Sequence, residues 1–134
     1  MARPKRKRLI QSPPAVEGFR PFGVPVRNLE PVVLLYEEYE ALRLMDYENM
    51  KQEDAAKEMS VSRPTFTRVY RKARVSIAKA LVEGKAIFID GGNFHATDFW
   101  YRCDDCFRLN MDEKAIKYCF YCSSPALKRL DQNE

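Results

Sequence analysis

The amino-acid sequence predicts a mainly α fold, in which a three- to four-helix helix-turn-helix domain precedes a small four-cysteine β module of the zinc-ribbon type. Three observations predict it. Apolar residues recur at helical spacing over much of residues 32–83, a basic segment opens the longest predicted helix, and the four cysteines form two CxxC pairs. The 134 residues suffice for one domain and a small module. We predict an arm at 1–18, the helical domain at 19–92 and the cysteine module at 93–134.

The composition is that of a globular protein. Hydrophobic residues make up 46% of the chain, which is enough for a packed core. No apolar run approaches the roughly 20 residues of a membrane-spanning helix, and the basic N-terminus lacks the apolar region of a secretory signal. We therefore expect a cytoplasmic protein without a membrane partner.

Basic residues are concentrated in two blocks that flank an acidic one. Residues 1–8 carry five bases and no acid, residues 30–58 carry nine acids and three bases, and residues 60–79 carry six bases and no acid. Separate basic blocks are typical of surfaces that meet a polyanion. A merely solvated face has the same composition, so charge alone leaves both interpretations open.

The N-terminal segment is predicted to be irregular. Residues 1–31 contain six prolines, a density that neither a helix nor a central strand tolerates. Lys5, Arg6, Lys7 and Arg8 resemble the basic arms that helix-turn-helix proteins lay along phosphates or into a minor groove. A disordered, soluble tail is the alternative.

Two helices are predicted before residue 60. Residues 32–46 carry apolar side chains at steps of three and four, the pattern of a helix with one buried stripe. Residues 51–59 form a shorter helix whose Ala55, Ala56 and Met59 face the core. Lys51 is a poor N-cap for this second helix, with Asn49 as an alternative cap one turn earlier.

The third and longest helix is predicted from Arg63 to Glu83. Ser62 is a favourable N-cap, Pro64 falls in the first turn, where its missing N–H costs nothing, and Gly84 is a favourable C-cap. The apolar stripe that faces the core consists of Phe66, Val69, Tyr70, Ala73, Ile77, Ala80 and Leu81. A short strand follows over residues 85–90.

A short helix, a tight turn and a longer helix with a basic start form the helix-turn-helix layout, in which the second helix lies in the major groove of DNA. Side chains off the apolar stripe would then point at DNA. Arginine pairs with both acceptors of a guanine edge, and threonine meets a thymine methyl or a phosphate. We predict groove contacts from Arg63, Thr65, Thr67, Arg68 and Arg71, and phosphate contacts from Lys72 and Arg74. An ordinary amphipathic helix of a small bundle is the alternative.

The segments EALRL, QEDAA, VSRPTFTR and ALVEGKA lie within residues 19–92, and this stretch resembles the family called domain of unknown function 134. Its members are small prokaryotic proteins predicted to bind DNA. Their central part is similar to region four of the primary sigma factors, which reads the promoter −35 element. The resemblance implies a three- or four-helix DNA-binding domain with the third helix as reader.

The four cysteines predict a metal site. Cys103 and Cys106 are separated by two residues, as are Cys119 and Cys122, and twelve residues lie between the pairs. Two such pairs supply four thiolates to one tetrahedral ion. We predict structural zinc, with iron or a thiol redox switch as alternatives. The aromatic residues around the cysteines either form a small core or stack on a partner.

The sequence lacks the motifs of common catalytic sites. It has no glycine-rich phosphate loop and no HExxH pattern, and it contains a single histidine. Four cysteine ligands also leave no open position on zinc for hydrolysis. We therefore expect a binding protein and not an enzyme.

These features together predict a sequence-specific protein that binds double-stranded DNA, in the role of a transcriptional regulator. An adaptor that docks to the transcription machinery is the second hypothesis, and a thiol or metal sensor that controls DNA binding is the third. The third helix, roughly 32 Å long, exceeds what groove contact requires. Its rear half is expected to lie in the core or to contact a second copy in a homo-oligomer.

Overall fold

The computed structural model describes residues 8–24, 30–92, 94–96 and 98–131. In these residues the chain forms, in order, β1 (Arg8–Leu9), β2 (Gly18–Phe19), β3 (Val32–Leu34), α1 (Tyr36–Leu42), a π-helical turn (Arg43–Tyr47), α2 (Gln52–Glu58), α3 (Arg63–Glu83), β4 (Ile87–Ile89), β5 (Phe94–His95), β6 (Phe99–Cys103), β7 (Leu109–Asp112) and β8 (Leu127–Arg129). Helices and strands therefore both build the described part of the chain. The fold is α+β, and the prediction of a mainly α fold was wrong.

The error begins in the first predicted helix, residues 32–46. Its opening residues form β3, which pairs in parallel with β4 and places Val32 opposite Ile87. The apolar spacing of the run VVLL fits both a helix and a buried strand, and its two β-branched valines favour the strand. The helix itself starts at Tyr36.

The strands of the described residues make three small sheets. β1 pairs in parallel with β5, and β4 lies between antiparallel β2 and parallel β3. In the third sheet, β6 lies between antiparallel β7 and β8. This third sheet and its connecting loops, residues 98–131, carry the four cysteines and are called the ribbon below. The other two sheets join the N-terminal segment to residues that follow α3.

In the part of the chain that the structure describes, two hydrophobic clusters form the core. The first packs α1 and the π-helical turn against α2 and α3, and consists of Ala41, Leu44, Ala55, Ala56, Met59 and Phe66. The second is assembled from distant segments: Ile10, Leu34, Tyr36, Ala73, Ile89, Phe94, Trp100 and Leu130. Ala73 belongs to α3 and Trp100 to the ribbon. The ribbon and α3 therefore share one core.

The N-terminal segment packs on the rest of the fold from Arg8 onward. Arg8 is buried, and its Nε lies 3.0 Å from a carboxylate oxygen of Glu37 in α1. The Arg102 guanidinium of β6 donates hydrogen bonds of 3.1 Å to the carbonyl oxygens of Pro14 and Ala15. This segment therefore bridges the helices and the ribbon.

α2 begins without a side-chain cap. Lys51 occupies the N-cap position and makes no cap hydrogen bond. Asn49 is not the cap either, since it adopts a left-handed conformation with φ of 58° before the helix begins. Glu53 and Asp54 in the first turn are favourably placed toward the positive end of the helix dipole.

α3 has the predicted bounds, Arg63–Glu83, and both predicted caps. The Ser62 Oγ accepts a hydrogen bond of 3.3 Å from the Thr65 N–H. Gly84 takes the left-handed C-cap conformation with φ of 67°, which a residue without a Cβ adopts at little cost. Local signals in the sequence therefore determine where this helix begins and ends.

Replacement of the Ser62 cap tests this view of the helix terminus. Ser62→Ala leaves the Thr65 N–H without its acceptor, so we expect the free energy of unfolding to fall by about 1 kcal/mol. Ser62→Gly is the matched variant and should cost only a few tenths of a kcal/mol. Urea denaturation followed by circular dichroism measures both. Equal stability of Ser62→Ala and the wild type would contradict the capping role.

Candidate nucleic-acid interface and metal centre

α2, the four-residue turn after it and α3 pack as one unit. Met59 is fully buried at the end of α2, and Val61 in the turn packs against the same cluster. The small side chains of Ala55 and Ala56 permit the close approach of α3, which inserts the fully buried Phe66. This packing fixes the direction in which the first turns of α3 present their outer side chains.

The outer face of the N-terminal half of α3 is basic and open to solvent. Arg63, Arg68, Arg71 and Lys72 are all exposed. Arg68 donates a hydrogen bond of 3.3 Å to the Thr65 hydroxyl. Arg63 and Arg71 make no side-chain hydrogen bond or ion pair with any residue that the structure describes. These cations are therefore available to an anionic partner.

Two other predicted contact residues have partners within the protein. The Thr67 hydroxyl lies 3.0 Å from both Gln52 Oε1 and the Arg63 carbonyl oxygen. The Arg74 guanidinium lies over the ring of Tyr70, 5.4 Å from its centroid. Thr67 thus ties α3 to the start of α2. The cation–π contact holds the charge of Arg74 near the helix surface.

The rear half of α3 departs from the predicted stripe at one residue. Ala80 is buried, whereas Leu81 is 76% exposed. Successive helical residues differ by about 100° in direction, so Leu81 points away from the core side that Ala80 occupies. Val75 and Val82 are exposed as well. An apolar surface therefore continues the basic face toward the C-terminus of α3.

The predicted contact residues of the N-terminal arm do not lie with the exposed basic residues of α3 in the described structure. Arg8 lies in the fold beside Glu37 and not on the outer surface. Lys5, Arg6 and Lys7 lie outside the described residues. Of the predicted arm contacts, only Arg8 is therefore placed by the structure, and it is placed in the core.

The structure brings Cys103, Cys106, Cys119 and Cys122 together. Their four Sγ atoms all lie within 4.8 Å of one another, and none of the four forms a disulfide. The shortest separations are 3.5 Å between Cys103 and Cys122 and 3.6 Å between Cys106 and Cys119. A tetrahedral zinc ion with bonds of about 2.3 Å requires sulfur–sulfur separations of about 3.8 Å. The four side chains therefore have the spacing of a four-thiolate metal centre.

Each CxxC pair lies in a turn of the same geometry. The N–H of Phe107 donates to the Cys103 carbonyl at 2.9 Å, and the N–H of Ser123 donates to the Cys119 carbonyl at 3.0 Å. Phe107 and Ser123 both have positive φ, at 64° and 62°. In the first turn the Cys106 N–H also donates to Cys103 Sγ at 3.4 Å. Backbone N–H groups directed at sulfur favour the thiolate form that a metal requires.

The surroundings of the cysteines favour a bound cation. Burial raises the pKa of Cys119, but hydrogen bonds from the N–H groups of Tyr121 and Cys122 and from the Asn110 amide lower it to about 6. The Ser124 N–H lowers the pKa of Cys122, but hydrogen bonds shared with the other three thiols, together with burial, raise it to about 12. Four thiols in contact cannot all ionise without a compensating charge. A divalent ion that replaces their protons supplies it.

Asn110 is a site residue that the sequence did not reveal. It is almost fully buried, its Nδ2 lies 3.4 Å from Cys119 Sγ, and its Oδ1 accepts a hydrogen bond of 2.8 Å from the Phe120 N–H. It therefore connects β7 to the second CxxC turn. A single asparagine in a strand carries no spacing signal, so only the tertiary structure shows this role.

We expect Asn110→Leu to weaken metal binding by about 10- to 100-fold, as loss of an outer hydrogen bond does at other metal centres. The variant fills the buried space but leaves Cys119 Sγ and the Phe120 N–H without their partner. Competition with a chromophoric zinc chelator measures the affinity. Met111→Leu is the control at the neighbouring, exposed position. An unchanged affinity in Asn110→Leu would exclude the orienting role.

The aromatic side chains of the ribbon divide into two groups. Trp100 and Tyr101 are buried, and the Trp100 ring stacks on Phe94 with centroids 5.8 Å apart. Exposed rings are those of Phe107, Tyr118, Phe120 and Tyr121. The aromatic residues therefore supply part of the core and part of the ribbon surface.

Comparison with known families tests the family membership that the sequence motifs predicted. Residues 1–97 match the family model described as protein of unknown function DUF134. The chain belongs to the DUF134 family. The DUF134 match ends before Cys103 and therefore does not include the four cysteines.

Similar chains occur in several bacteria under the name UPF0251 protein. A UPF0251 protein of Halothermothrix orenii is 44% identical over 106 residues, which cover 79% of this chain and 78% of the relative. One of Moorella thermoacetica is 49% identical over 106 residues, covering 79% and 71%. No solved structure has significant similarity to this chain.

Among the described residues, no helix has both the length and the apolar composition that spanning a membrane demands. α3, the longest, has 21 residues and a basic outer face over its N-terminal half.

Proposed function

We propose that this chain is a cytoplasmic, sequence-specific DNA-binding protein that regulates transcription and is not an enzyme. The observation that supports it is the outer face of the N-terminal half of α3. Arg63, Arg68 and Arg71 lie exposed there, on a helix that follows a short helix and a tight turn. That layout suits insertion of α3 into a major groove, with arginines directed at guanine edges.

The positions of the acidic side chains support the proposal. Glu40 accepts hydrogen bonds from the Gln11 N–H at 3.0 Å and from the Arg43 Nε at 2.6 Å. The Glu38 carboxylate accepts from the Leu35 N–H at 2.8 Å. These carboxylates of α1 are buried and engaged within the fold. Apart from the electrostatic interaction of Glu38 with Lys72, these two carboxylates therefore do not offset the positive charge on the outer face of α3.

We also propose that the four cysteines hold zinc in a structural role. The support is the four-sulfur donor set with separations near those of a tetrahedral ZnS4 site. Iron binds similar sets of cysteines, and elemental analysis of the purified protein distinguishes the two metals. Bound zinc would hold the two CxxC turns together and so stabilise the ribbon that packs under α3.

Two measurements test the DNA-binding proposal. Selection from random duplexes should yield a shared motif, and the affinity for that motif should fall with salt at a log–log slope of about −5, if six phosphates are contacted. A two-fold symmetric motif would indicate a homo-oligomer. Absence of affinity for any duplex at low salt would contradict the proposal. It would favour an adaptor that holds the transcription machinery through the exposed Val75, Leu81 and Val82.

A further inference from the structure

A large cleft lies between the β2–β4–β3 sheet and the ribbon, lined by neither the basic face of α3 nor the four cysteines. Its volume is about 1020 Å³. Sites for small organic ligands have volumes of roughly 300–1,000 Å³ and often lie where two structural units meet. The cleft is therefore large enough for such a ligand.

Tyr36 at the start of α1 places a buried polar group in the wall of this cleft. The side chain is only 8% exposed, and its ring packs on Phe94 with centroids 4.9 Å apart. Its hydroxyl makes no hydrogen bond to any described residue. Burial raises the pKa of Tyr36, and the neighbouring Asp90 raises it further. The hydroxyl is therefore a protonated donor without an acceptor among the described residues.

Arg102 of β6 contributes a second buried polar group to the same cleft. It is 8% exposed, and both of its terminal nitrogens donate to backbone carbonyls of the N-terminal segment. Its Nε has no hydrogen-bond partner in the described part of the chain and lies 4.0 Å from a carboxylate oxygen of Glu17. Because Glu17 is 68% exposed, its carboxylate can move into water when another anion approaches.

The remaining charges of the cleft favour an anion. Arg20, Lys128 and Arg129 line it with Arg102, against the carboxylates of Glu17 and Asp90. Two of these bases have acidic partners, since Lys128 lies 3.9 Å from Glu17 and Arg129 pairs with Asp131 at 2.6 Å. Arg20 is exposed and has no partner among the described residues. The four cations of the lining stand against the carboxylates of Glu17 and Asp90 and, beside the lining, that of Asp131, so the cleft keeps a small net positive charge.

Aromatic rings from three separate segments supply an apolar wall. Phe19 of β2, Phe88 of β4 and Phe107 of the first CxxC turn line the cleft, and each is substantially exposed. Exposed rings that converge on one cleft are typical of sites for planar, apolar groups. Convergent donors and an aromatic wall together define the chemistry of a ligand.

We propose that this cleft binds a small organic anion with an aromatic body. Its acidic group is held by the Tyr36 hydroxyl and the basic side chains around Arg102, and its ring lies against Phe88 and the neighbouring phenylalanines. The ligand bridges the sheet and the ribbon and so stabilises their contact. The site is independent of DNA binding, and its test contains no DNA.

The fluorescent probe 1-anilinonaphthalene-8-sulfonate has this chemistry, with an aromatic body and one sulfonate. Titrated into the metal-loaded full chain, it should give saturable emission with one site per chain. Tyr36→Phe removes only the hydroxyl and should weaken the probe's affinity by about 10-fold, because it removes a hydrogen bond to a charged group. Tyr47→Phe alters an exposed tyrosine outside the cleft and should bind as the wild type does.

Phe88→Thr tests the apolar wall with a β-branched residue that suits a strand. It should weaken the affinity by at least about 3-fold, whereas Val33→Thr, on the paired position of β3 and outside the lining, should not. Circular dichroism and Trp100 emission establish that each variant is folded. Absence of saturable binding to the folded wild type, or equal affinities of Tyr36→Phe and Tyr47→Phe, would overturn the proposal.

Discussion

Removal of the metal from the cysteine site, or the substitution Cys119→Ser, is expected to unfold the ribbon and to expose Trp100 to water. Structural zinc contributes on the order of 10 kcal/mol to the folding of small modules, which is comparable with the roughly 5–15 kcal/mol that stabilises a whole domain. Trp100 is fully buried on Phe94, and it is the single tryptophan of the chain. Its emission should therefore shift to the red when the metal is lost.

The shared core makes the same experiment informative about α3. Trp100, Leu130 and Ala73 belong to one hydrophobic cluster, so loss of the ribbon should also reduce the thermal stability of α3. Lys117→Ser, between the two CxxC pairs and exposed, should change neither property, and added zinc should restore the chelated wild type. Unchanged Trp100 emission after complete metal removal would contradict a structural metal. A red shift with undiminished helix stability would show instead that the ribbon folds separately.

Loss of duplex binding in arginine variants of α3 is the second large expected effect. Arg68→Ala should cost about 1–3 kcal/mol on the preferred sequence and reduce the discrimination between bases, since a bidentate contact with guanine carries both. Arg71→Ala should have an effect of similar size, because its side chain is exposed and has no partner among the residues that the structure describes. Fluorescence anisotropy with matched and mismatched duplexes measures the two quantities.

A matched variant on the same helix separates the effect of losing a specific contact from the effect of losing one positive charge. Lys79→Ala removes one exposed positive charge from the rear half of α3 and should lower the affinity little. If Arg68→Ala weakens binding to every duplex equally, its contact is with phosphate and not with a base. If Lys79→Ala and Arg68→Ala have equal effects, the front of α3 has no special role.

The parts of the fold that depend on neighbouring residues were predictable from the sequence. The bounds of α3 follow from Ser62, the apolar period and Gly84, because caps and periodicity act within a few residues. The cluster of four cysteines follows from their spacing, since each CxxC pair closes its own turn. These signals do not require knowledge of the rest of the chain.

The parts that depend on contacts between distant segments were not predictable. The prediction of helix for the residues of β3 was wrong because their apolar spacing also fits a helix, and the pairing with β4, which lies beyond the whole helical region in the chain, decides for the strand. Arg8 ends a basic segment that predicts a flexible arm, but the residue is buried beside Glu37 of α1. Asn110 is recognised only when the second CxxC turn is placed against β7. In each case a contact with a distant segment determines the role of the residue, and the local sequence alone does not predict that role.

Guanine N7 methylation interference tests the proposed groove contact most directly. The N7 atom lies in the major groove and is an acceptor that arginine uses. We predict that methylation at one or more guanines of the selected duplex blocks binding of the wild type, and that Arg68→Ala no longer distinguishes one of those methylated positions. Binding that is insensitive to N7 methylation at every guanine, in a duplex whose motif contains guanine, would contradict readout of the major groove by α3.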